Sequence, residues 1–179
     1  MIICDTSGLV AAYDADEPAG PAVRELLEGE AGALVVSPFV LAELDYLLLT
    51  RAGPRAEPAL LDDLAEDVYQ VAAFTSEDAV SVKSLVARYF DLGTGLAHAH
   101  TTALAAPGRY GTTRVLTFDE RHFRAVKPLR EGCSPSYRPI SERLWQWRQS
   151  SLGAGRDEVE ALGGSRSPEG LVEGGEGPA

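Results

Sequence analysis

Short apolar segments alternate along the first 140 residues with longer stretches that have helical spacing, and this alternation limits the possible folds most strongly. Parallel strands need a crossover connection, usually a helix, and a parallel sheet is covered by helices on both faces, so its strands are short and apolar throughout. The pattern predicts a three-layer α/β fold with a mainly parallel central sheet and helices on both faces. The predicted strands are residues 1–4, 34–36, 69–74 and 114–118, and the predicted helices are residues 21–29, 39–51, 58–67, 76–89 and 96–105.

The chain is long enough for one domain with a sizeable core, followed by a tail of different composition. It has 179 residues, of which 45% are hydrophobic, as is typical of a globular domain. Residues 150–179 contain no aromatic side chain and are rich in Gly, Ser and Glu, so they are predicted to be a disordered tail. We expect a domain over residues 1–140, a short helix over residues 141–149 that is anchored by Trp145 and Trp147, and then this tail.

Apolar runs and cysteines indicate the compartment. No apolar run approaches the roughly 20 residues that cross a bilayer, and Asp5 interrupts the apolar start before it could form a signal peptide. Cys4 and Cys133 do not form a disulfide framework. These features predict a soluble cytoplasmic protein that has no membrane partner.

Charge is distributed unevenly along the chain. The formal net charge is −11, which argues against general electrostatic attraction of nucleic acid. Residues 109–138 nevertheless contain seven basic and three acidic side chains. This segment is either a solvated loop or a surface that faces an anion, and Arg114, Arg121 and Arg124 are its candidates for contacts with nucleic-acid phosphate.

Two aspartates directly follow predicted strands. Asp5 comes after the first strand, and Asp119 comes after the strand that ends at Phe118. The carboxyl ends of parallel strands lie at one edge of the sheet, where ligands of such folds bind. Each aspartate could instead be only the N-cap of the next helix. The hydroxyl of Ser7 could hold the Asp5 carboxylate in place.

Glu43 is a third carboxylate in an unusual place. It lies within residues 39–49, which are apolar on all sides and therefore typical of a buried helix. A buried carboxylate is costly unless it is paired or binds a metal ion, so Glu43 either forms a salt bridge with a core arginine or belongs to a site. Asp45 is roughly 200° away around the helix, so the two carboxylates cannot easily serve one pocket.

Three carboxylates that converge at one sheet edge predict a bound cation. Clustered carboxylates repel one another unless they are protonated or neutralised. Oxygen-only clusters suit Mg²⁺ or Mn²⁺, which also bind substrate phosphate and activate water for phosphodiester hydrolysis. Asp5, Glu43 and Asp119 are therefore the candidate catalytic and metal-binding residues, and the basic segment beside Asp119 is the candidate surface for a nucleic-acid backbone.

Three segments resemble a known family. They read MIICDTSGLVAAYD at residues 1–14, SPFVLAELDYLLLTRAG at 37–53, and DLGTGLAHAHTTALAAPGRYGTTRVLTFDERHF at 91–123. In order and spacing they are similar to the PIN-domain ribonucleases, specifically the VapC-type toxins of bacterial toxin–antitoxin pairs. The resemblance covers residues 1–140 and implies a parallel sheet flanked by helices, RNA cleavage with Mg²⁺ or Mn²⁺, a homodimer, and a small antitoxin that lies over the active site.

The resemblance also implies roles for individual residues. It matches Asp5, Glu43 and Asp119 to three family acids, Ser7 to the small polar residue that supports the first acid, and Thr117 to the hydroxyl just before the last acid. The remaining family acid falls in a block that usually reads Ala-Asp-Ala and here reads Ala97-His98-Ala99. This chain therefore departs from the family pattern at a metal ligand.

His98 changes the metal chemistry that we expect. Imidazole can bind Mn²⁺, Zn²⁺ or Fe²⁺ but is a poor ligand for Mg²⁺, and the loss of a carboxylate weakens the attraction for any divalent ion. His98 is thus a candidate nitrogen ligand of an active nuclease, the mark of a weakened or inactive binding module, or an ordinary structural histidine. His100 is expected on the opposite side of the helix, and His122 at the surface.

Overall fold

The protein, seen in a computed structural model, is built on a parallel sheet. The structure describes residues 1–105, 109–125 and 138–139. The strands are β1 (Ile2–Cys4), β2 (Leu34–Val36), β3 (Tyr69–Val71), β4 (Arg114–Leu116) and β5 (Arg138–Pro139), in the order β3-β2-β1-β4-β5. Every pairing is parallel, and β1 lies between β2 and β4. The expected helix at 141–149 and the expected tail at 150–179 lie outside the described residues, so the domain boundaries stay predictions.

Helices connect the strands. They are α1 (Thr6–Tyr13), α2 (Gly20–Glu28), α3 (Pro38–Leu47), α4 (Ala56–Ala65), α5 (Ser76–Arg88), α6 (Leu96–Ala105) and α7 (Glu120–Ala125), with a π-helical turn at Leu48–Ala52 and a 3₁₀ turn at Phe90–Leu92. The start of α3 is fixed locally, because Ser37 Oγ accepts a hydrogen bond of 3.1 Å from the Phe39 N–H and Pro38 takes the first helical position. In the described part of the chain, no helix is long and apolar enough to cross a membrane.

The hydrophobic core lies on both faces of the sheet. Successive side chains of a strand point to opposite faces. Ile2 and Cys4 accordingly pack into a cluster with residues of α1 to α4, whereas Ile3 packs into a second cluster with Leu104 of α6 and Phe123 of α7. The three strand residues are fully buried. The predicted three-layer α/β architecture is therefore confirmed.

Helix α3 differs from the prediction of a buried helix. Val40, Leu44 and Leu48 are fully buried, but Glu43 is exposed and Tyr46 is 66% exposed. The face of α3 that carries Val40 and Leu44 packs on the core, whereas Tyr46 on another face remains accessible to solvent. The expectation of a helix that is buried on all sides was therefore wrong. Of the two alternatives for Glu43, a salt bridge with a core arginine is not found among the described residues, where the exposed carboxylate accepts a hydrogen bond from Thr6 instead. Its membership of a site stays a prediction.

Two strands are shorter than predicted. Strand β3 ends at Val71 and β4 ends at Leu116, because the chain leaves the sheet to begin the next helix. Phe74 is 41% exposed just before the start of α5, and Thr117 turns its hydroxyl towards Asp5. The residues that follow β4 lie outside the sheet and belong to the edge described next.

Candidate metal centre at the carboxyl edge of the sheet

The ends of β1 and β4 bring two distant parts of the chain together. Cys4 pairs with Leu116 in the parallel register, and the Asp5 N–H donates a hydrogen bond of 3.0 Å to the Leu116 carbonyl. Asp5 and Thr117 are therefore the first residues beyond the sheet on neighbouring strands. This is the edge at which the sequence places the site.

Gly8 lets α1 begin directly against the end of β4. A Cβ atom at Gly8 would lie 2.6 Å from Leu116 Cγ and 2.7 Å from the Leu116 carbonyl oxygen, which is closer than atoms of these kinds can approach. Only glycine allows this contact without displacing the helix or the strand. The close approach keeps Asp5 and Ser7, at the start of α1, beside Thr117.

Asp5 is fully buried, and only one of its two carboxylate oxygens is satisfied. Oδ2 accepts hydrogen bonds of 2.9 Å from both the Ser7 and the Thr117 hydroxyls. Oδ1 has no hydrogen-bond partner among the described residues. Asp5 occupies the N-cap position of α1, but its side chain makes no capping hydrogen bond. The alternative interpretation, in which Asp5 serves only as the N-cap of α1, therefore does not account for its carboxylate.

The two hydroxyls that hold Asp5 are themselves held by the backbone. Ser7 Oγ accepts from the Phe118 N–H at 2.9 Å, and Thr117 Oγ1 accepts from the Asp119 N–H at 3.0 Å. Because each hydroxyl has one proton, accepting from the backbone leaves that proton for the carboxylate. The network orients Asp5 and joins it to the turn that carries Asp119.

Glu43 joins the same edge through the next residue of the chain. The Thr6 hydroxyl donates a hydrogen bond of 2.7 Å to Glu43 Oε2. Thr6 is adjacent to Asp5, so this bond positions the α3 carboxylate beside the start of α1. Asp45 lies on α3 two residues further on and is also exposed.

Asp119 lies in a cluster with two histidines. Its Oδ2 is 2.7 Å from His122 Nδ1 and 3.6 Å from His98 Nε2, and the side chains of both histidines are 22% exposed. The other ring nitrogen of His122, Nε2, donates to the Leu92 carbonyl at 2.7 Å. His122 is therefore not the surface residue that the sequence predicted. The spacing Asp-x-x-His at the start of a helix is the signal that could have identified it, because residues three apart are neighbours there.

His100 faces the core, on the other side of α6 from His98, as predicted. It is fully buried, and its Nδ1 is 2.8 Å from Ser37 Oγ. Burial lowers the pKa of His100, although the nearby Asp78 opposes that effect. Helix α6 thus presents one histidine to the candidate site and the other to the interior.

The candidate RNA-contacting arginines are not all at this edge. Arg114 begins β4, at the opposite end of the strand from Asp119, and its Nη1 is 2.7 Å from Glu30 Oε2. The expectation that Arg114 lies beside the acids was wrong, because basic residues that are close in sequence lie at both ends of a strand. Arg121 is exposed in α7. Arg124 is also in α7, but its side chain is outside the described part of the structure.

The residues at this edge fit a divalent cation. The buried Asp5 Oδ1 has no hydrogen-bond partner among the described residues, and an unpaired buried carboxylate oxygen is costly unless a cation neutralises it. Asp119, His98 and His122 each place one nitrogen or oxygen ligand atom within 4.8 Å of the others. Carboxylate and imidazole groups are both common metal ligands.

Comparisons with known proteins identify the family of this chain. Ribonuclease VapC26 from Mycobacterium tuberculosis (strain ATCC 25618 / H37Rv) is 44% identical to this chain over 131 residues, which is 73% of this chain and 96% of the relative. The crystal structure of Mycobacterium tuberculosis VapC20, a sarcin-ricin loop cleaving toxin, is similar in fold, with a TM-score of 0.62 and 22% identity over 70% of this chain and 95% of that chain. The family model described as PIN domain matches residues 2–128. Because that match spans more than half of the chain and the identity to VapC26 extends over nearly all of the relative, the chain belongs to the PIN-domain family.

Proposed function

We propose that the protein is a metal-dependent endoribonuclease and acts as the toxin of a toxin–antitoxin pair. It hydrolyses RNA phosphodiester bonds with Mg²⁺ or Mn²⁺ bound at the carboxyl edge of the sheet. The observation that carries this proposal is Asp5, which is fully buried and oriented by two hydroxyls, with one carboxylate oxygen that has no partner within the part of the chain that the structure describes. The 44% identity to a protein named as a ribonuclease supports RNA as the substrate.

The chain's own residues divide the work at the site. Asp5 and Asp119 hold the cation, and Glu43 either binds it through water or positions the attacking water. Ser7 and Thr117 are positioning residues, because they fix the Asp5 carboxylate before the ion binds. When bound, the ion supplies a more acidic water and stabilises the leaving oxygen.

RNA reaches this edge beside α7. Arg121 is exposed there, and its guanidinium can bind backbone phosphate without reading sequence. We propose the same role for Arg124, since it lies on the same helix. Arg114 does not, because it is paired with Glu30 at the other end of β4.

Protein partners are the second part of the proposal. We propose a cognate antitoxin that covers the site and a homodimer, both in the cytoplasm, where the RNA substrate is. Two exposed apolar side chains that follow Glu43 in the chain support a covered surface: Tyr46 on α3 is 66% exposed, and Leu49 in the π-helical turn after α3 is 59% exposed. Large apolar side chains grouped on a surface are typical of protein interfaces.

His98 supports a second candidate function. It occupies the place of a family acid and lies 3.6 Å from Asp119 Oδ2. An imidazole there gives the site less negative charge than a carboxylate would, and so less attraction for Mg²⁺. The alternative is a catalytically weakened or inactive PIN-domain module that binds RNA or the antitoxin without cleavage.

RNA cleavage by matched variants tests both candidates. Structured RNAs are incubated with Mg²⁺ or with Mn²⁺ and with identically purified wild type, Asp5→Asn, Glu43→Gln and His98→Asp. Asp45→Asn is the matched control, because Asp45 is an exposed carboxylate on the same helix as Glu43. We expect cleavage by wild type and by Asp45→Asn, and its loss in Asp5→Asn and Glu43→Gln while far-ultraviolet circular dichroism stays unchanged.

The other outcomes are equally informative. An inactive wild type together with an active His98→Asp variant identifies a scaffold that is disarmed at one position, which is the alternative. Full cleavage by folded Asp5→Asn and Glu43→Gln excludes the proposed site.

A further inference from the structure

His98, Asp119 and His122 come from two helices and the turn that precedes the second one, and they meet at Asp119 Oδ2. His98 Nε2 is 3.6 Å and His122 Nδ1 is 2.7 Å from that oxygen, and the two ring centroids are 5.0 Å apart. We propose that these three side chains form a binding site for a divalent first-row transition-metal ion of the Zn²⁺ or Co²⁺ type, which they bind in preference to Mg²⁺.

All three ligand atoms lie within 4.8 Å of one another, and two of their separations can be compared directly with those around a metal ion. Metal–nitrogen and metal–oxygen bonds of about 2.0–2.2 Å in a tetrahedral site separate the ligand atoms by about 3.4 Å. The separation of 3.6 Å between His98 Nε2 and Asp119 Oδ2 already matches this value. The separation of 2.7 Å between His122 Nδ1 and Asp119 Oδ2 is that of a hydrogen bond. It has to open by about 0.7 Å when the ion takes the place of the shared proton.

A carbonyl outside the cluster orients His122 for metal binding. His122 Nε2 is 2.7 Å from the Leu92 carbonyl oxygen, and because a carbonyl can only accept, Nε2 carries a proton. Nδ1 is then the nitrogen that can bind a metal. A metal-binding histidine usually donates its other N–H to a carbonyl or carboxylate in this manner. Gly93, with a φ of +67° that favours glycine, ends the 3₁₀ turn that contains Leu92.

Two imidazoles determine which ions the site prefers. Imidazole suits Zn²⁺, Cu²⁺, Ni²⁺ and Fe²⁺, whereas Mg²⁺ prefers oxygen ligands and keeps several of its waters. Three protein ligands also leave a coordination position open for water, as in catalytic zinc sites. The inference goes beyond the proposed nuclease function, because it concerns binding that can be measured without RNA.

The direct test is titration of the metal-free, untagged full chain with Co²⁺, whose visible absorption reports nitrogen and oxygen coordination. We expect one equivalent of Co²⁺ to produce the absorption. Zn²⁺ should displace it, whereas Mg²⁺ should bind more weakly than Zn²⁺ by at least about a hundredfold. The same ions should raise the melting temperature of the protein in the same order, because an ion that binds only the folded state stabilises it.

Variants identify the ligands. His98→Gln and His122→Gln should each weaken Co²⁺ binding by at least about tenfold, whereas Asp45→Asn should bind Co²⁺ like the wild type. His98→Asp, which restores an oxygen ligand, should reduce the preference for Zn²⁺ over Mg²⁺. The melting temperature of each metal-free variant checks folding, and His98→Asn and His122→Asn replace any Gln variant that does not fold.

Three results would overturn the proposal. These are no Co²⁺ absorption with wild type, unchanged Co²⁺ affinity in both folded histidine variants, and an equal loss of affinity in Asp45→Asn. Asp5→Asn separates this proposal from the nuclease proposal, because it should lose RNA cleavage but retain Co²⁺ absorption. Retained cleavage in Asp5→Asn would count against the nuclease site alone, and a missing Co²⁺ site in a cleaving enzyme would count against the histidine site alone.

Discussion

The substitution Thr117→Val tests whether the network that orients Asp5 also stabilises the fold. Thr117 is fully buried. Its hydroxyl donates a hydrogen bond of 2.9 Å to Asp5 Oδ2 and accepts one of 3.0 Å from the Asp119 N–H. Valine has almost the same shape, so the substitution removes both bonds without creating a cavity.

The expected loss follows from what remains unpaired. A hydrogen bond to a charged group contributes about 1.5–3 kcal/mol, and a buried polar group that loses its partner adds about 1–3 kcal/mol. Asp5 Oδ2 keeps its bond from Ser7, and Asp119 is half-exposed, so water can partly replace the lost bond to its N–H. We therefore expect Thr117→Val to reduce the free energy of unfolding by about 3 kcal/mol.

The chain contains a matched control in Thr101. This threonine is also fully buried, but its hydroxyl has no hydrogen-bond partner among the described residues. Burying an unpaired hydroxyl costs about 1–3 kcal/mol, so Thr101→Val should leave the free energy of unfolding unchanged or raise it by up to about 2 kcal/mol. The assay is urea unfolding of the metal-free protein, followed by circular dichroism. If Thr117→Val loses no more stability than Thr101→Val, the hydrogen bonds to Asp5 do not hold the fold together.

Further predictions concern acid stability, thiol reactivity and close packing. Burial alone would raise the pKa of Asp78, but the hydrogen bond from Arg109 helps to lower it to about 2. Asp78 therefore contributes fully to the free energy of unfolding above the pKa of an aspartate in the unfolded chain, and this contribution is lost from about pH 4 towards pH 2. Urea unfolding at stepped pH should show this loss, and Asp78→Asn should flatten it. Burial raises the pKa of the Cys4 thiol to about 12, so iodoacetamide should modify the Cys4 peptide only in denaturant, as measured by mass spectrometry; modification of the native chain would contradict the burial. Gly8→Ala should lower the free energy of unfolding by about 1–3 kcal/mol through overpacking, whereas Gly95→Ala, with open space around the new methyl group, should cost much less in the same urea assay.

The sheet and two of the acids could be predicted because their signals are local. Strands β1 and β2 are apolar at every position, since both of their faces are buried. Asp5 directly follows β1 and Asp119 lies three residues after the end of β4, and the topology of parallel sheets then places both at one edge. These inferences need only the order of residues and the rule that parallel strands end together.

The surroundings of Glu43 and Arg114 could not be predicted, because they depend on packing. The apolar residues Tyr46 and Leu49 make the predicted helix over residues 39–51 look buried, yet both are exposed. Sequence alone does not distinguish a helix that is covered by its own domain from one whose second face is left open. A high density of basic residues along the chain likewise does not determine on which side of the sheet each one lies, and Arg114 pairs with Glu30 instead.

The histidine cluster depends on tertiary contacts. His98 and His122 are on different helices, and the orientation of His122 is fixed by the Leu92 carbonyl. That carbonyl lies in the 3₁₀ turn Phe90–Leu92, whose sequence shows no spacing that is characteristic of metal binding. A sequence motif could indicate the pair Asp119 and His122, but not the approach of His98.

The order of synthesis determines when this edge can exist. Asp5 leaves the ribosome among the first residues, but Thr117, which donates to it, is 112 positions later in the chain. A nascent polypeptide that ends before β4 has the Ser7 hydroxyl but lacks both Asp119 and the second hydroxyl that orients Asp5, that of Thr117. A chain released before that point cannot assemble the centre, however well its first helices fold. The candidate metal centre is therefore completed only when the domain is nearly complete. Translation products that end before β4 should accordingly lack the proposed nuclease activity and be harmless to the cell that makes them.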